Sequence, residues 1–192
     1  MKTQAAISPD APMVQALARG VCPICTLTRV FQNAMVDAPH RFPANELCNF
    51  HAWSLAHASP AVEAVPIFRA MLTSAQTSLA GPVQVHACDW CNILRQFEDE
   101  KMAEYARQLK HENFRAWVSH YGTVCIFHGQ GLMSTLPAAD VEVVRKILAS
   151  NKEDFKTQLQ AFDVRARHGE KGGGGVLGHI TEFLVSQRGV TR

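Results

Sequence analysis

The sequence predicts an all-α protein: a helical domain of two unequal pseudo-repeats, each tied by a Cys3His metal site. Three observations predict it. The order Cys-x-x-Cys, spacer, Cys-x-x-His occurs twice, as "VCPIC" with "LCNFH" and again as "ACDWC" with "VCIFH". The stretches between carry apolar residues at helical spacing over wet, charged faces. Runs with the alternation of a strand are nearly absent. The spacers are 22 residues (26–47) and 33 residues (92–124), so the second repeat holds 11 more, about three helical turns.

Taken in order, residues 1–19 form an N-terminal arm and residues 20–192 a single helical domain. Pseudo-repeat one covers 20–81, pseudo-repeat two 82–168, and a C-terminal loop and helix 169–192. A short helix follows Cys48, from Asn49 to about His57. Another spans Val62 to Leu79, with an interruption expected at Pro66, which lacks a backbone N–H. "GPVQVHA" (Gly81 to Ala87) reads as mildly extended. From Asp89 to His120, Ile93, Leu94, Phe97, Tyr105, Leu109 and Trp117 follow a helical period. "LPAADVEVVRKIL" opens a long helix reaching about His168, with Pro137 suited to its first turn and Asp140 and Glu142 to its N-terminal dipole. "HGEKGGGGVLGH" (His168 to His179) reads as a flexible loop, and "HITEFLVSQRG" as a closing helix that ends near Gly189.

The chemistry lies in the eight repeated positions. Zinc takes four tetrahedral ligands from thiolate and imidazole, and three Cys with one His form a closed structural set. Ligands three apart, in a tight knuckle or a first helical turn, point to the same side. The candidate metal ligands are therefore Cys22, Cys25, Cys48, His51, Cys88, Cys91, Cys125 and His128, for two zinc ions per chain. All six cysteines are used. Closure between neighbours in sequence (Cys22, Cys25, Cys48, His51; then Cys88, Cys91, Cys125, His128) costs least loop entropy and is the expected pairing. The alternative exchanges partners, so that the CxxC of one repeat joins the CxxH of the other. Iron–sulfur is the alternative cofactor, since thiolate-rich sites also hold clusters. Three thiolates and a neutral imidazole leave each zinc site at net −1, which backbone amides at helix starts can offset.

Other readings explain less. Buried core cysteines would not fall into two matching arrangements, and a thioredoxin-like CxxC needs a βαβ context that is missing here. His40, His57, His111, His168 and His179 show no ligand spacing, while His86 and His120 lie close enough in sequence to substitute for a ligand or support one, with solvent-facing or hydrogen-bonded roles expected for both. "KGGGG" lacks the order of a phosphate loop, and Ser54 and Ser134 match no nucleophile elbow. Trp53, Trp90 and Trp117 are expected in the core or against the metal sites. Hydrophobic content of 47% and charged content of 19% fit a folded protein, and the net charge of +2 is spread evenly. No basic stripe for nucleic acid stands out, and no run approaches the about 20 apolar residues of a membrane span. The N-terminal segment carries no secretory pattern, so a cytoplasmic location with reduced thiols is expected.

At "CPIC", "LCNFH", "CDWC" and "VCIFH", and more loosely at "QAFDVRARHG" followed by "ITEFLVSQRG", the chain resembles a prokaryotic domain-of-unknown-function family. Its members carry CPxC, CxxH, a second CxxC heading a long helix, and a second CxxH. The resemblance covers about residues 20–190 and implies the same helical architecture and metal ligands, but no reaction. Ala52 and Gly129, directly after the two histidines, depart from the aromatic or charged residues expected there. The functional expectation is a non-catalytic, zinc-stabilised module that binds a protein partner as an accessory or assembly factor. The alternatives are a thiol-based redox or metal-responsive protein and an iron–sulfur electron carrier.

Overall fold

A computed structural model describes residues 12–18, 20–78, 87–168 and 174–185. Among them there are nine α-helices, one 3-10 turn (Pro39–Arg41) and no strand. The helices are α1 (Pro12–Leu17), α2 (Pro23–Asp37), α3 (Asn49–Ala58), α4 (Ala61–Ser78), α5 (Asp89–Gln108), α6 (Glu112–Tyr121), α7 (Ile126–Met133), α8 (Ala138–Arg167) and α9 (Gly174–Val185). The all-α expectation holds. Among the described residues no helix is long and apolar enough to cross a membrane.

The described residues divide into two compact units: one of 12–27 with 100–185, the other of 28–99. The boundaries fall inside α2 and α5, so each of these helices supplies residues to both units. The units therefore cut across the repeat boundary at 81/82 instead of following it. Each has its own core. In the discontinuous unit Tyr105, Leu109, Phe114, Leu132 and Val144 are all fully buried. In the continuous unit the core gathers Met35, Leu55, Trp90 and Leu94, with Phe31 stacked on Phe97 at 4.2 Å between ring centroids.

Part of the expected N-terminal arm belongs to a core. Met13 and Leu17 on α1 are 0% and 1% exposed, and α1 packs on α6. Five residues of "MVQAL" are too few to display a period. The turn out of α1 uses Gly20 at φ +67°, where a side chain would be strained, and its N–H donates to the Leu17 carbonyl at 3.0 Å.

The expected single helix from Asp89 to His120 is two. The reason is angular: at about 100° per residue, a straight helix would put Phe114 and Val118 about 180° from Tyr105 and Leu109. All four side chains are buried in one core. The helix tightens instead, with Lys110 and His111 donating to the Arg107 and Gln108 carbonyls, and His111 starts α6. Tyr105 and Phe114 then meet edge to face at 5.3 Å. Pro66, by contrast, does not interrupt α4. It costs one hydrogen bond to the Val62 carbonyl, but Pro66 and Val62 are both exposed, so water can take that carbonyl.

The last helix begins earlier than expected. α9 starts at Gly174, five residues before His179, so part of the glycine-rich loop is helical. Its Phe183 is 4% exposed and its ring lies 5.0 Å from that of Phe155 on α8. The extended reading of "GPVQVHA", except for Ala87, and the expected end near Gly189 lie outside the described residues.

Candidate metal centres

All four CxxC and CxxH motifs perform one structural act: each begins a helix. Cys48 and Cys125 are the N-cap residues of α3 and α7, and Cys22 and Cys88 immediately precede α2 and α5. In every case the carbonyl of the first cysteine accepts the N–H four residues on. The donors are Thr26 at 3.0 Å, Ala52 at 2.9 Å, Asn92 at 3.1 Å and Gly129 at 2.8 Å. The second ligand of each motif is then the third helical residue, which lies beside the cap. His128 N–H donates to Cys125 Sγ at 3.4 Å, and Cys91 N–H to Cys88 Sγ at 3.4 Å. The sulfur does what a serine or aspartate oxygen does at an ordinary helix start.

The helix starts meet in pairs, and the pairs are the exchanged ones. Cys22 and Cys25 join Cys125 and His128; Cys48 and His51 join Cys88 and Cys91; in each group the four ligand atoms lie within 4.8 Å of one another. The nearest-neighbour pairing is thus overturned. Each CxxC heads a long, stiff helix, which carries the chain about 18 Å beyond Cys25 and about 25 Å beyond Cys91. The next CxxH in sequence follows that excursion, and the saving in loop entropy is too small to oppose it.

The two clusters have nearly the same dimensions. His128 Nδ1 lies 3.4, 3.3 and 3.2 Å from the sulfurs of Cys22, Cys25 and Cys125, and Cys25 and Cys125 are 3.7 Å apart. His51 Nδ1 lies 3.4, 3.3 and 3.5 Å from Cys48, Cys88 and Cys91, and Cys48 and Cys91 are 3.7 Å apart. A tetrahedral zinc with ordinary bond lengths requires S···S edges of about 3.8 Å and S···N edges of about 3.6 Å. The donor set fits one ion at each place, with Nδ1 as the nitrogen ligand in both.

The thiols and imidazoles of each cluster shift one another's protonation. Burial raises the Cys22 thiol, but hydrogen bonds from Cys125, Cys25 and His128 outweigh it and hold Cys22 well below the usual range. Hydrogen bonding to Cys125 and Cys22, burial and their charges push Cys25 far up. The first thiolate forms readily and the next is opposed by it. Burial would lower His128, yet hydrogen bonding to Cys125 and Cys22, with their charges, pushes it up to about 9. In the second cluster burial, with hydrogen bonds to Cys88 and Cys48, pushes Cys91 up to about 12, while burial lowers His51. Two helix N-termini face each cluster and offset the net negative charge of three thiolates.

Several positioning residues carry no motif. Asp89, the first residue of α5, accepts the N–H of Asn45 at 2.9 Å and of Glu46 at 3.4 Å, while its own N–H donates to the Glu46 carbonyl at 2.9 Å. It thereby fixes the strand of chain leading to Cys48 against the turn that holds Cys88. An acidic residue at a helix start was visible in the sequence, but its partners 43 and 44 residues away were not. Trp90 is fully buried with its ring 5.7 Å from that of His51. Gly129 lets α7 approach α8, since a Cβ there would stand 2.8 Å from Leu148 Cδ1. That approach accounts for the small residue after His128.

The remaining described histidines stay outside both clusters. His40 pairs with Glu63, His57 stacks on Trp53 at 5.1 Å, and His179 lines a crevice with Cys22, Cys125, Phe155 and Phe183. His86 lies outside the described residues. Trp117 packs on the core as expected, whereas Trp53 is 59% exposed. No protein-family model, curated protein or solved structure matches this chain.

Proposed function

We propose that this chain is a non-catalytic helical module, stabilised by two zinc ions, that serves as a protein-binding accessory or assembly factor. One observation carries the reading: each cluster brings four protein donors onto two helix starts within the sphere of a single ion. Four protein ligands leave no open position for water or substrate, so the metal's contribution is cohesion and not Lewis-acid chemistry. A mononuclear ion is favoured over an iron–sulfur cluster because several iron and sulfide atoms between the thiolates would spread them beyond one coordination sphere. The partner-binding part rests on exposed apolar side chains of α3 and α4: Trp53, Val62 and Leu72 are 59%, 81% and 66% exposed.

The test is elemental analysis with X-ray absorption at the zinc edge. We expect a colourless protein with two zinc per chain, each bound by three sulfurs and one nitrogen. Iron with visible absorbance, or a site with a water ligand, overturns it. For the partner, a protein captured from the native host by the wild type and lost with Trp53→Glu supports Trp53 as a contact. Equal capture by both removes it.

A further inference from the structure

The two clusters share ligands and dimensions, but not access. Cys22, Cys25 and Cys125 are 5%, 5% and 0% exposed, and His128 is 1% exposed. In the other cluster Cys88 and His51 are buried at 8% and 0%, while Cys48 and Cys91 are only partly buried. The crevice lined by Gly20, Thr123, Phe155, His179 and Phe183 reaches the first cluster, yet Cys22 and Cys125 at its floor remain shielded. The cluster of Cys48, His51, Cys88 and Cys91 is therefore the less shielded of the two.

Within the accessible cluster the sulfurs differ again. Cys88 Sγ accepts the Cys91 N–H, which draws electron density from it. Cys48 Sγ lies 3.4 Å from His51 Nδ1 and 3.7 Å from Cys91 Sγ. Cys91 Sγ lies 3.7 Å from Cys48 Sγ and 3.5 Å from His51 Nδ1, in one cluster with Cys88 Sγ. A thiolate's reactivity follows its access and its electron density.

We infer that Cys91 and Cys48 form a modification site for soft electrophiles and hydroperoxides, and that their reaction opens one metal centre while the other stays closed. The inference rests on the two-zinc reading. With a hydroperoxide, the Cys91 thiolate attacks one peroxide oxygen and the O–O bond breaks, giving a sulfenic acid and an alkoxide or hydroxide. The Cys48 thiolate then displaces hydroxide from that sulfur, forming the S–S bond. Two thiolates lose two electrons and the peroxide gains them. The sulfurs must close from 3.7 Å to about 2.05 Å. Cys88 and His51 remain as two ligands, too few to retain an ion.

The test treats the full, zinc-loaded chain with limiting N-ethylmaleimide and, separately, hydrogen peroxide. Peptide mapping follows the cysteines and a chromophoric chelator follows the metal. We expect label on Cys91 and Cys48, or a Cys48–Cys91 disulfide after peroxide. One zinc equivalent should be released, with Cys22, Cys25 and Cys125 unmodified. Cys91→His keeps four donors and should slow zinc release about tenfold. Labelling of Cys22, Cys25 or Cys125 at the rate of Cys91, or parallel loss of both ions, overturns the inference, and mapping of the wild type decides the matter if the variant does not fold. Metal content measured beforehand separates the two claims: fewer than two zinc per chain defeats the zinc reading, whereas two zinc with uniform labelling defeats only this one.

Discussion

A cysteine or histidine in these clusters is held by its own backbone before any metal enters. Cys125 illustrates it: the same residue caps α7, accepts the His128 N–H and contributes a fully buried sulfur. Replacing it with serine keeps a helix cap but removes a soft ligand. Structural zinc contributes on the order of 10 kcal/mol to folding of its site. We expect Cys125→Ser to leave one zinc per chain and to lower the melting temperature by about 10 °C or more. His51→Ala should do the same for the other cluster. Elemental analysis and calorimetry check both, and unchanged values in both variants would remove the structural role. Gly129 is a milder case. Its added methyl would meet Leu148 Cδ1, the end of a side chain that can move, so Gly129→Ala should cost about 1 kcal/mol. Combining it with Leu148→Ala should cost less than the sum of the two single changes, as a double-mutant cycle in denaturant would measure.

Helix starts are the elements that build the sites, and their neighbours decide how well. Asp89 serves α5 twice, as an acidic residue at its N-terminus and as acceptor for the chain entering Cys48. Asp89→Ala should weaken zinc at Cys48, His51, Cys88 and Cys91 about tenfold without removing a ligand, and Asp89→Asn should restore part of it. Competition with a chelator of known affinity reads the effect, and equal affinities in wild type and both variants would remove Asp89 from the site's support. α9 plays a different part. Phe183 is buried against Phe155 beside the crevice that ends at Cys22 and Cys125. Phe183→Ala should cost about 3 kcal/mol and make those two cysteines alkylate faster, with no change at Cys91. At this scale the sequence was partly legible. Phe114 and Val118 fall opposite Tyr105 and Leu109 on a straight helix, so the α5–α6 break was readable from angle alone. Burial of α1 depends on α6, and no local pattern in six residues could announce it.

For the molecule as a whole, the ligands were legible and their partners were not. Eight positions follow from spelling, and each CxxC and CxxH of this chain begins a helix. Pairing depends on where long helices deliver them, which spacing does not encode. The nearest-neighbour arrangement closes spans of 22 and 33 residues. The nested one closes 36 residues (52–87) and then about 55 around them. The difference in loop entropy is only about 1 kcal/mol, less than burying one large side chain contributes. Packing decides, and it produces a continuous unit of 28–99 set within the sequence of a discontinuous one. Each unit owns a core and a cluster, so loss of one metal should be local. Opening the inner site lengthens the span from Cys25 to Cys125 to 99 residues, an added cost to the outer site of about 0.5 kcal/mol. That is small beside a structural zinc site. In Cys48→Ser, hydrogen exchange should therefore accelerate across 28–99, while α6, α7 and the first half of α8 keep their protection and the second zinc stays bound. Uniform acceleration through both units, with both ions lost, would mean that the two cores unfold as one.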